Sequence, residues 1–355
     1  MYIALNFFQS NFNTIVSVIL FYFIAIKFWY RFGYKFFLYT RNEVQTIHRG
    51  KIEVPRFGGI LLVLGSLCMS YLSPLFLYQS SINQLIFFSI PMIFAAIYED
   101  LFYLNSPIFR LCSIFISIIL FFIFVDVSLP YIDIPHISEF INNRPLFYLI
   151  LIVGLAGLIN GMNLIDGTNG LLSITALSSL ISLASLAYLS DDTYVLSISL
   201  VLIAPLFIFL FFNYPFGKIF LGDAGAYWLG WSIGLLVLIF YGRNPQIPAW
   251  GALLLLFYPT LEIIFSFFRK IRAGKSPLRP DPYHLHLLIY FQLEKVVKNK
   301  LLANNLVMPI LLFFCAAPPV ALVFSYYNFW LILILLISFT TLYLLFYRVL
   351  RRRSE

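Results

Sequence analysis

Polar residues of this sequence are concentrated in short motifs beside long apolar runs, and one of these motifs has a regular spacing. In NGMNLIDGTNG (160–170), Asn160, Asn163 and Asp166 lie three residues apart, and glycines follow. On a helix this spacing puts all three side chains on one stripe, so they would face the same partner. A polar helix C-cap would need only one such residue, and Gly167 allows backbone to approach a ligand closely. We therefore interpret the motif as one wall of a binding site.

Carboxylates that could hold a divalent cation occur in two further motifs. Asp223 stands between Gly222 and Gly225 in FLGDAG, where a carboxylate can hold Mg²⁺ while phosphates come close to the backbone. Glu99 and Asp100 end an apolar run, and adjacent acids point about 100° apart on a helix. One acid could bind metal or act as a base while a partner holds the other. Alone, G-D-x-G also occurs in ordinary turns, and an acid pair at a membrane edge can be merely solvated.

The last long loop and the apolar run before it carry the remaining ionisable residues of interest. His284 and His286 follow Arg279, and their spacing brings the side chains to one side only in an extended segment. Two histidines without a third good ligand rarely make a zinc site, so we interpret them as donors to a phosphate. Glu262 shares a helix face with Arg269 seven residues later, and either an ion pair or a catalytic role would explain it.

The elements that position these motifs are membrane spans. The chain has 355 residues, of which 61% are hydrophobic and 11% charged, whereas soluble domains carry about 25% charged residues. A span needs roughly 20 mostly apolar residues. The sequence therefore predicts an all-α polytopic membrane protein with a single domain over 1–355 and about eleven transmembrane helices. We place these helices near 13–31, 57–78, 82–98, 110–128, 146–160, 171–190, 194–212, 224–241, 249–268, 305–325 and 328–347.

The distribution of basic residues predicts the orientation. Of the 23 Lys and Arg, all except Arg144 and Arg243 fall at or next to one side, which the positive-inside rule makes cytoplasmic. The N-terminus is then outside, and the C-terminus and every polar motif are cytoplasmic. The net charge of +8 thus reflects topology. Nucleic-acid binding is not indicated, because no basic-aromatic module is present.

The ordered set of motifs resembles one family, the polyprenyl-phosphate N-acetylhexosamine-1-phosphate transferases of the glycosyltransferase 4 group. Its N-x-x-N-x-x-D-G motif is met in full by residues 160–167, and its F-x-G-D-x-G motif by residues 220–225, with Asn213 shortly before. Glu99 and Asp100 correspond to the family's paired acids, and residues 280–287 to its histidine-rich loop. The resemblance covers nearly the whole chain.

The resemblance implies an enzyme of the bacterial inner membrane that transfers a sugar-1-phosphate of the N-acetylhexosamine type. The donor would be a UDP-sugar and the acceptor undecaprenyl phosphate, with release of UMP and Mg²⁺ or Mn²⁺ as cofactor, so that a lipid-linked glycan for cell-surface polysaccharide is started. Asp223 and Asp100 would hold the metal. The residues with implied catalytic roles are Glu99, Asp100, Asn163, Asp166, His284 and His286. The residues implied to bind substrate are Asn160, Gly167, Asn169, Asn213, Phe220 (on uracil), Gly222, Gly225, His48, Arg56 and Arg279.

The sequence departs from the family pattern at several positions. Glu99 replaces the usual first Asp, Asn169 stands where many members have Asp, and Gln45 lies where a lysine is usual. Pro282 replaces an arginine and Leu287 the last histidine of the loop. The sugar and the oligomeric state, a homodimer included, are left open. A catalytically altered family member and a secondary transporter are the alternatives, although a transporter would favour midplane polar residues and repeated halves.

Overall fold

The computed structural model of the chain describes most of its length, and within the described parts the regular secondary structure is entirely helical. The described residues are 12–28, 54, 56–72, 78–102, 106–132, 138–141, 143–277 and 281–352. His48 and Arg279, both predicted to bind substrate, lie outside the described residues. Asp100 lies in a helix next to Glu99, but its side chain is not among those described.

Fourteen helices make up the described structure, and we number them in chain order. They are α1 Phe12–Phe28, α2 Gly58–Leu72, α3 Gln79–Phe102, α4 Pro107–Phe124, α5 Ser138–Ile141, α6 Arg144–Ile165, α7 Leu171–Leu189, α8 Thr193–Asn213, α9 Gly222–Arg243, α10 Gly251–Leu255, α11 Phe257–Arg272, α12 Leu285–Val297, α13 Lys300–Val323 and α14 Phe329–Arg352.

Within the described ranges, eight helices are long and apolar enough to cross a membrane, which makes the protein a polytopic helical membrane protein. They are α3, α4, α6, α7, α8, α9, α13 and α14, and each matches one predicted span. At the predicted spans 13–31 and 57–78 the apolar helices are shorter. The orientation in the membrane stays a prediction.

In the predicted span over 249–268 the helix is interrupted at Leu256, between α10 and α11. Pro259 has no N–H with which to bond the carbonyl of Leu255, four residues earlier. The hydroxyl of Ser179 in α7 donates to that carbonyl instead, at 2.7 Å. The freed acceptor is therefore satisfied from a neighbouring helix, as is usual for broken helices inside membrane proteins.

Helix α9 is the central element, and every residue of its most apolar stretch is buried. Glycines on α9 let α6 approach its backbone: a Cβ at Gly230 would lie 2.8 Å from the Cα of Ile159. The indole of Trp231 donates to the Leu85 carbonyl in α3 at 2.9 Å. Asp223 lies in the first turn of α9 and Arg243 in its last. At 1.5 Å per residue the two are about 30 Å apart, at opposite ends of the bundle.

Candidate active site

Three charged residues from different helices form an ion-pair cluster at the Asp223 end of the bundle. Arg110 in α4 donates from Nε to Glu99 Oε2 at 3.0 Å and from Nη1 to Asp223 Oδ2 at 3.1 Å. Glu99 Oε1 also accepts the backbone N–H of Ser106 at 2.9 Å. Arg110 therefore joins the end of α3, the start of α4 and the start of α9.

The two acids of this cluster differ in what they can still do. The Glu99 side chain is only 5% exposed, and both of its carboxylate oxygens already have partners. The Asp223 side chain is 22% exposed and bonds Arg110 through one oxygen only. Asp223 therefore keeps one carboxylate oxygen for a ligand. In the sequence pair Glu99–Asp100, Glu99 is the acid that protein contacts hold in place.

Sequence reasoning did not single out Arg110. The residue lies one turn inside an apolar run, after Ser106, whose hydroxyl accepts the Phe109 N–H at 3.2 Å and caps α4. An ionisable residue inside a transmembrane segment points to function and to a partner. That signal could have found Arg110, although not which acids it pairs with.

The carboxylates fit a magnesium ion that is shared with a substrate. Among the described residues, no group of three or more His, Cys, Asp or Glu side chains is placed to hold a metal. Magnesium commonly binds one or two carboxylates and completes its shell with water and substrate phosphates. Asp223 supplies one such carboxylate at the positive end of a helix, where anions are stabilised. The set therefore suits Mg²⁺ with bound phosphate and does not suit a closed protein cage.

The glycines of the loop-one motif bring α2 against the start of α9. The N–H groups of Gly58 and Gly59 donate to the carbonyls of Phe220 and Leu221 at 3.0 and 2.9 Å. A Cβ on Gly59 would overlap the backbone of Gly225. Two backbones are thus in direct contact, which only glycine permits. This contact fixes the turn that carries Asp223.

Two other predicted residues belong to the same turn. Gly222 has φ +72°, a left-handed conformation that glycine adopts without strain. Phe220, beside it, is partly buried, and so is Arg56, which lies just before α2. Phe220 thus lies in the turn that carries Asp223, and Arg56 precedes α2, the helix whose first residues bond that turn.

The polar stripe on α6 is present as predicted for its helical part. Asn160 and Asn163 lie in α6, and Asp166 is the residue that caps its C-terminus, with φ −77° and ψ 42°. All three are partly buried. The amide of Asn160 donates to the Ala156 carbonyl at 2.8 Å. The stripe therefore does not face lipid, and only its last member has left the helix.

The DGTNG turn after α6 is held by side-chain amides. Asn213 at the end of α8 accepts the Gly170 N–H at 2.6 Å and donates to the Ile219 carbonyl at 2.8 Å. Asn169 is 3% exposed, its N–H donates to Asn304 at 2.8 Å, and its side-chain amide donates to Asn305 at 3.0 Å. Asn169 and Asn213 thus position the loops, and Asn169 uses most of its polar groups within the protein.

The histidines meet the DGTNG turn. A Cβ on Gly167 would lie 2.6 Å from Nε2 of His286, so this ring packs on the glycine. The rings of His284 and His286 stack with centroids 5.8 Å apart. Only His284 is extended, as the N-cap of α12, whereas His286 lies in its first turn. An N-cap and a first-turn residue nevertheless place both rings on one side.

A buried carboxylate orients the first histidine. Glu262 is fully buried and accepts from His284 Nδ1 at 3.1 Å and from the Leu285 N–H at 3.2 Å. The Tyr343 hydroxyl donates to its other oxygen at 2.6 Å. The carboxylate can only accept, so Nδ1 of His284 carries the proton. This contact was missed from the sequence.

Of the two explanations left open for Glu262, an ion pair with Arg269 is absent from the described contacts of both residues. Arg269 instead pairs with Asp281 at 2.6 Å. Burial tends to raise the pKa of Asp281, but the Tyr283 N–H and Arg269 hold that pKa below its usual value. The pair joins the end of α11 to the histidine loop. Asp281 therefore holds the histidine loop, and Glu262 orients His284.

His286 is a neutral residue at physiological pH. Burial, followed by the neighbouring His284, lowers the pKa of His286 to about 3. Its helix, α12, is not among the membrane-spanning candidates. His286 would therefore bind a ligand as an uncharged imidazole.

Several buried polar atoms near these motifs have no hydrogen-bond partner in the described part of the chain. They are Nδ2 of Asn163, Oγ1 of Thr168, Oδ1 of Asn169 and Nδ1 of His286. Buried polar groups are nearly always bonded, and exceptions point to an ion, water or ligand. All four lie on or beside the turn between α6 and α7, so this turn is where a polar ligand would be bound.

The part of the chain that contains most of these residues is similar to known proteins. Residues 82–241 match the family described as glycosyl transferase family 4. A probable undecaprenyl-phosphate N-acetylglucosaminyl 1-phosphate transferase of Bacillus subtilis (strain 168) is 24% identical over 237 residues, which are 66% of this chain and 64% of that protein. The undecaprenyl-phosphate alpha-N-acetylglucosaminyl 1-phosphate transferase of Haemophilus influenzae is 35% identical over 97 residues, 26% of this chain and 27% of that protein.

A third relative, with the same name, from Thermotoga maritima, is 36% identical over 78 residues, 22% of this chain and 25% of the relative. The matched parts span less than two thirds of the length of each of these relatives. The family match includes Glu99, Arg110, the α6 stripe and Asp223. Residues 82–241 are therefore similar to glycosyl transferase family 4, which agrees with the family that the motifs resemble.

Proposed function

We propose that the protein transfers a sugar-1-phosphate of the N-acetylhexosamine type from a UDP-sugar to undecaprenyl phosphate, which starts a lipid-linked glycan for the cell surface. The observation that carries the proposal is that five motifs, far apart in sequence, meet at one end of the bundle. They are joined by the contacts Gly58–Phe220, Arg110–Asp223, Arg110–Glu99, Gly170–Asn213 and Gly167–His286. The names of the relatives support undecaprenyl phosphate as acceptor.

The proposed reaction is one in-line displacement. An oxygen of the ionised lipid phosphate attacks the β-phosphorus of the UDP-sugar and forms a new P–O bond. The bond from that phosphorus to the bridging oxygen breaks, and UMP leaves with the oxygen and the bonding electron pair. Phosphoryl transfer of this kind depends chiefly on positioning and charge neutralisation.

The charged residues have separate proposed roles. Arg110 holds Asp223 and Glu99 in register. A Mg²⁺ held by Asp223 and Asp100 would supply neutralisation of the diphosphate charge. The positive end of α9 adds to that neutralisation.

The polar residues from α6 to α12 are assigned to the donor nucleotide and sugar phosphate. The unpaired amide of Asn163 and the backbone at Gly167 face the same turn as His286. A protonated His284 would keep its Nδ1 bond to Glu262 and donate from Nε2 to a phosphate oxygen. Phe220 would stack on the uracil ring.

The same end of the bundle is proposed to face the cytoplasm. Arg144 begins α6 and Arg243 ends α9, so both lie at the end opposite Asn163 and Asp223. They are the two basic residues that the sequence assigns to the outer side, and the positive-inside rule then makes the site cytoplasmic. UDP-sugars are available on that side, which agrees with the proposed donor.

The proposal is tested with purified protein, Mg²⁺, undecaprenyl phosphate and a panel of UDP-sugars. We expect UMP release with at least one N-acetylhexosamine donor. Asp223→Asn should lower it by at least about 100-fold, since electrostatic stabilisation is usually the largest catalytic contribution. Asp191→Asn, an exposed acid at the opposite end, is the matched control and should be unchanged. Full activity of Asp223→Asn, or solute uptake by vesicles without a lipid product, would overturn the proposal.

A further inference from the structure

A cavity lies at the end of the bundle opposite the candidate active site. It has a volume of about 280 Å³ and lies between the start of α3, the segment after α4, the start of α8 and the end of α9. Its wall is apolar at Leu85, Ile198 and Leu236, and its rim is polar at Gln84, Asp126 and Arg243. A cavity that combines apolar walls with a few convergent polar groups is a common form of ligand site. The proposed transfer reaction does not use it.

The positive group of the rim is fixed in place. Arg243 Nε donates to Asp192 Oδ2 at 2.9 Å, and its guanidinium lies 5.0 Å from the centroid of the Tyr194 ring. Asp192 is held in turn by the Asn244 amide at 3.1 Å and the Val195 N–H at 3.2 Å. The Arg243 side chain is 44% exposed, and its bond to Asp192 uses Nε, so its terminal amino groups keep donors for an anion.

The negative group of the rim is separate from the positive one. Asp126 is exposed, and among the described residues it makes neither a hydrogen bond nor an ion pair, even with Arg243 on the same cavity. Its segment lies directly on the last turn of α9, because a Cβ on Gly242 would overlap the Ser128 carbonyl. Glycine at 242 therefore sets the position of Asp126 relative to Arg243.

We propose that this cavity binds the head group of a zwitterionic phospholipid of the ethanolamine class. The phosphate would bond Arg243, and the ammonium would bond Asp126. The glycerol and the first acyl carbons would lie along Leu85 and Leu236. A lipid fits because the cavity is at the ends of membrane-spanning helices and Leu85, Ile198 and Leu236 give it an apolar wall.

Local charge selects between head groups. Arg243 and Asp126 line the cavity and Asp192 pairs with Arg243, so these three residues together carry a formal net charge of −1. A head group with net negative charge, such as glycerol phosphate, is disfavoured by that balance. A trimethylammonium group has no N–H with which to bond Asp126, whereas a primary ammonium has three donors. Ethanolamine therefore suits the site better than glycerol or choline.

The test uses delipidated full-length protein in detergent, titrated with phosphatidylethanolamine, phosphatidylglycerol or phosphatidylcholine and followed by native mass spectrometry. We expect one saturable ethanolamine lipid that binds at least about tenfold more tightly than the other two. Asp126→Asn should weaken its binding by about tenfold, the factor for one charge-assisted contact. Asp191→Asn, which does not line the cavity, should bind it as the parent does.

Gly242→Ala gives a second, independent change, since the added methyl must displace the Ser128 carbonyl and with it Asp126. It should weaken ethanolamine-lipid binding while the circular dichroism of the helices is retained. Equal binding of phosphatidylglycerol, parent-like binding by Asp126→Asn, or equally tight binding of soluble phosphoethanolamine would overturn the proposal. Asp223→Asn should bind the lipid normally, which separates this site from the proposed transferase activity.

Discussion

At the scale of single residues, Arg110 holds two acids from different motifs, Glu99 and Asp223, in place. Its guanidinium bonds Glu99 and Asp223 at the same time, and a planar fork of donors suits two carboxylates better than the point charge of lysine. Glu99 is nearly fully buried. Removing Arg110 would take away the cation that pairs with this buried charge.

We predict that Arg110→Ala lowers both stability and activity. Breaking a buried ion pair costs about 3–5 kcal/mol, and the partial exposure of Arg110 should reduce that to about 1–3 kcal/mol. Arg110→Lys should retain most of the stability and lose activity, because one ammonium cannot keep both acids in register. Thermal unfolding and UMP release measure the two effects. Arg144→Ala, an exposed arginine at the opposite end, is the control, and equal losses in both alanine variants would contradict the assignment.

The pH dependence of stability should show the buried His286. Its pKa is about 3 in the folded protein against an ordinary value of 6.5, so between these values the unfolded chain binds a proton that the folded chain does not. The free energy of unfolding must then fall as the pH is lowered below 6.5, by about 2 kcal/mol at pH 5. His286→Gln should flatten this acid branch, whatever it does to stability at pH 8. Identical slopes for parent and variant in thermal unfolding between pH 5 and 8 would contradict the buried neutral state.

At the scale of elements, the break between α10 and α11 depends on a hydroxyl from another helix. Ser179 Oγ donates to the Leu255 carbonyl that Pro259 cannot reach with an N–H. The break lets α11 start again and bring Glu262 to His284. The position of the histidine loop is therefore tied to α7.

Ser179→Ala should destabilise the protein by about 1–3 kcal/mol, the cost of a buried carbonyl left without its donor. Ser185→Ala is the matched control on the same helix, since its hydroxyl is exposed and bonds only the Ile181 carbonyl one turn back. It should change stability by less than about 0.5 kcal/mol. Chemical unfolding of both variants measures the difference. Equal effects would mean that the break does not depend on Ser179.

Some helices could be predicted from the sequence because residues close together along the chain specify them. The Asn160–Asn163 spacing indicated a helical stripe, and the apolar runs indicated eight of the spans. The Arg110–Asp223 pair joins residues 113 positions apart, and the Ser179–Leu255 bond joins residues 76 apart. Such contacts depend on how helices pack, so no local pattern in the sequence could specify them.

At the scale of the whole molecule, the central helix α9 separates the candidate active site from the cavity at the opposite end. The first turn of α9 carries Asp223 within the candidate active site, and its last turn carries Arg243 on the cavity at the opposite end. The buried length of α9 between them keeps the two ends about 30 Å apart. The central claim is that the Asp223 end moves a phosphosugar from a nucleotide to a lipid.

The most direct measurement of that claim follows the β-phosphorus of the donor. Purified protein is incubated with undecaprenyl phosphate, Mg²⁺ and a UDP-N-acetylhexosamine labelled at the β-phosphate. The account predicts that the label passes to the lipid fraction in a one-to-one ratio with released UMP, and that Asp223→Asn prevents the transfer. Label that leaves with the nucleotide as UDP would mean transfer of the sugar alone and would contradict the account.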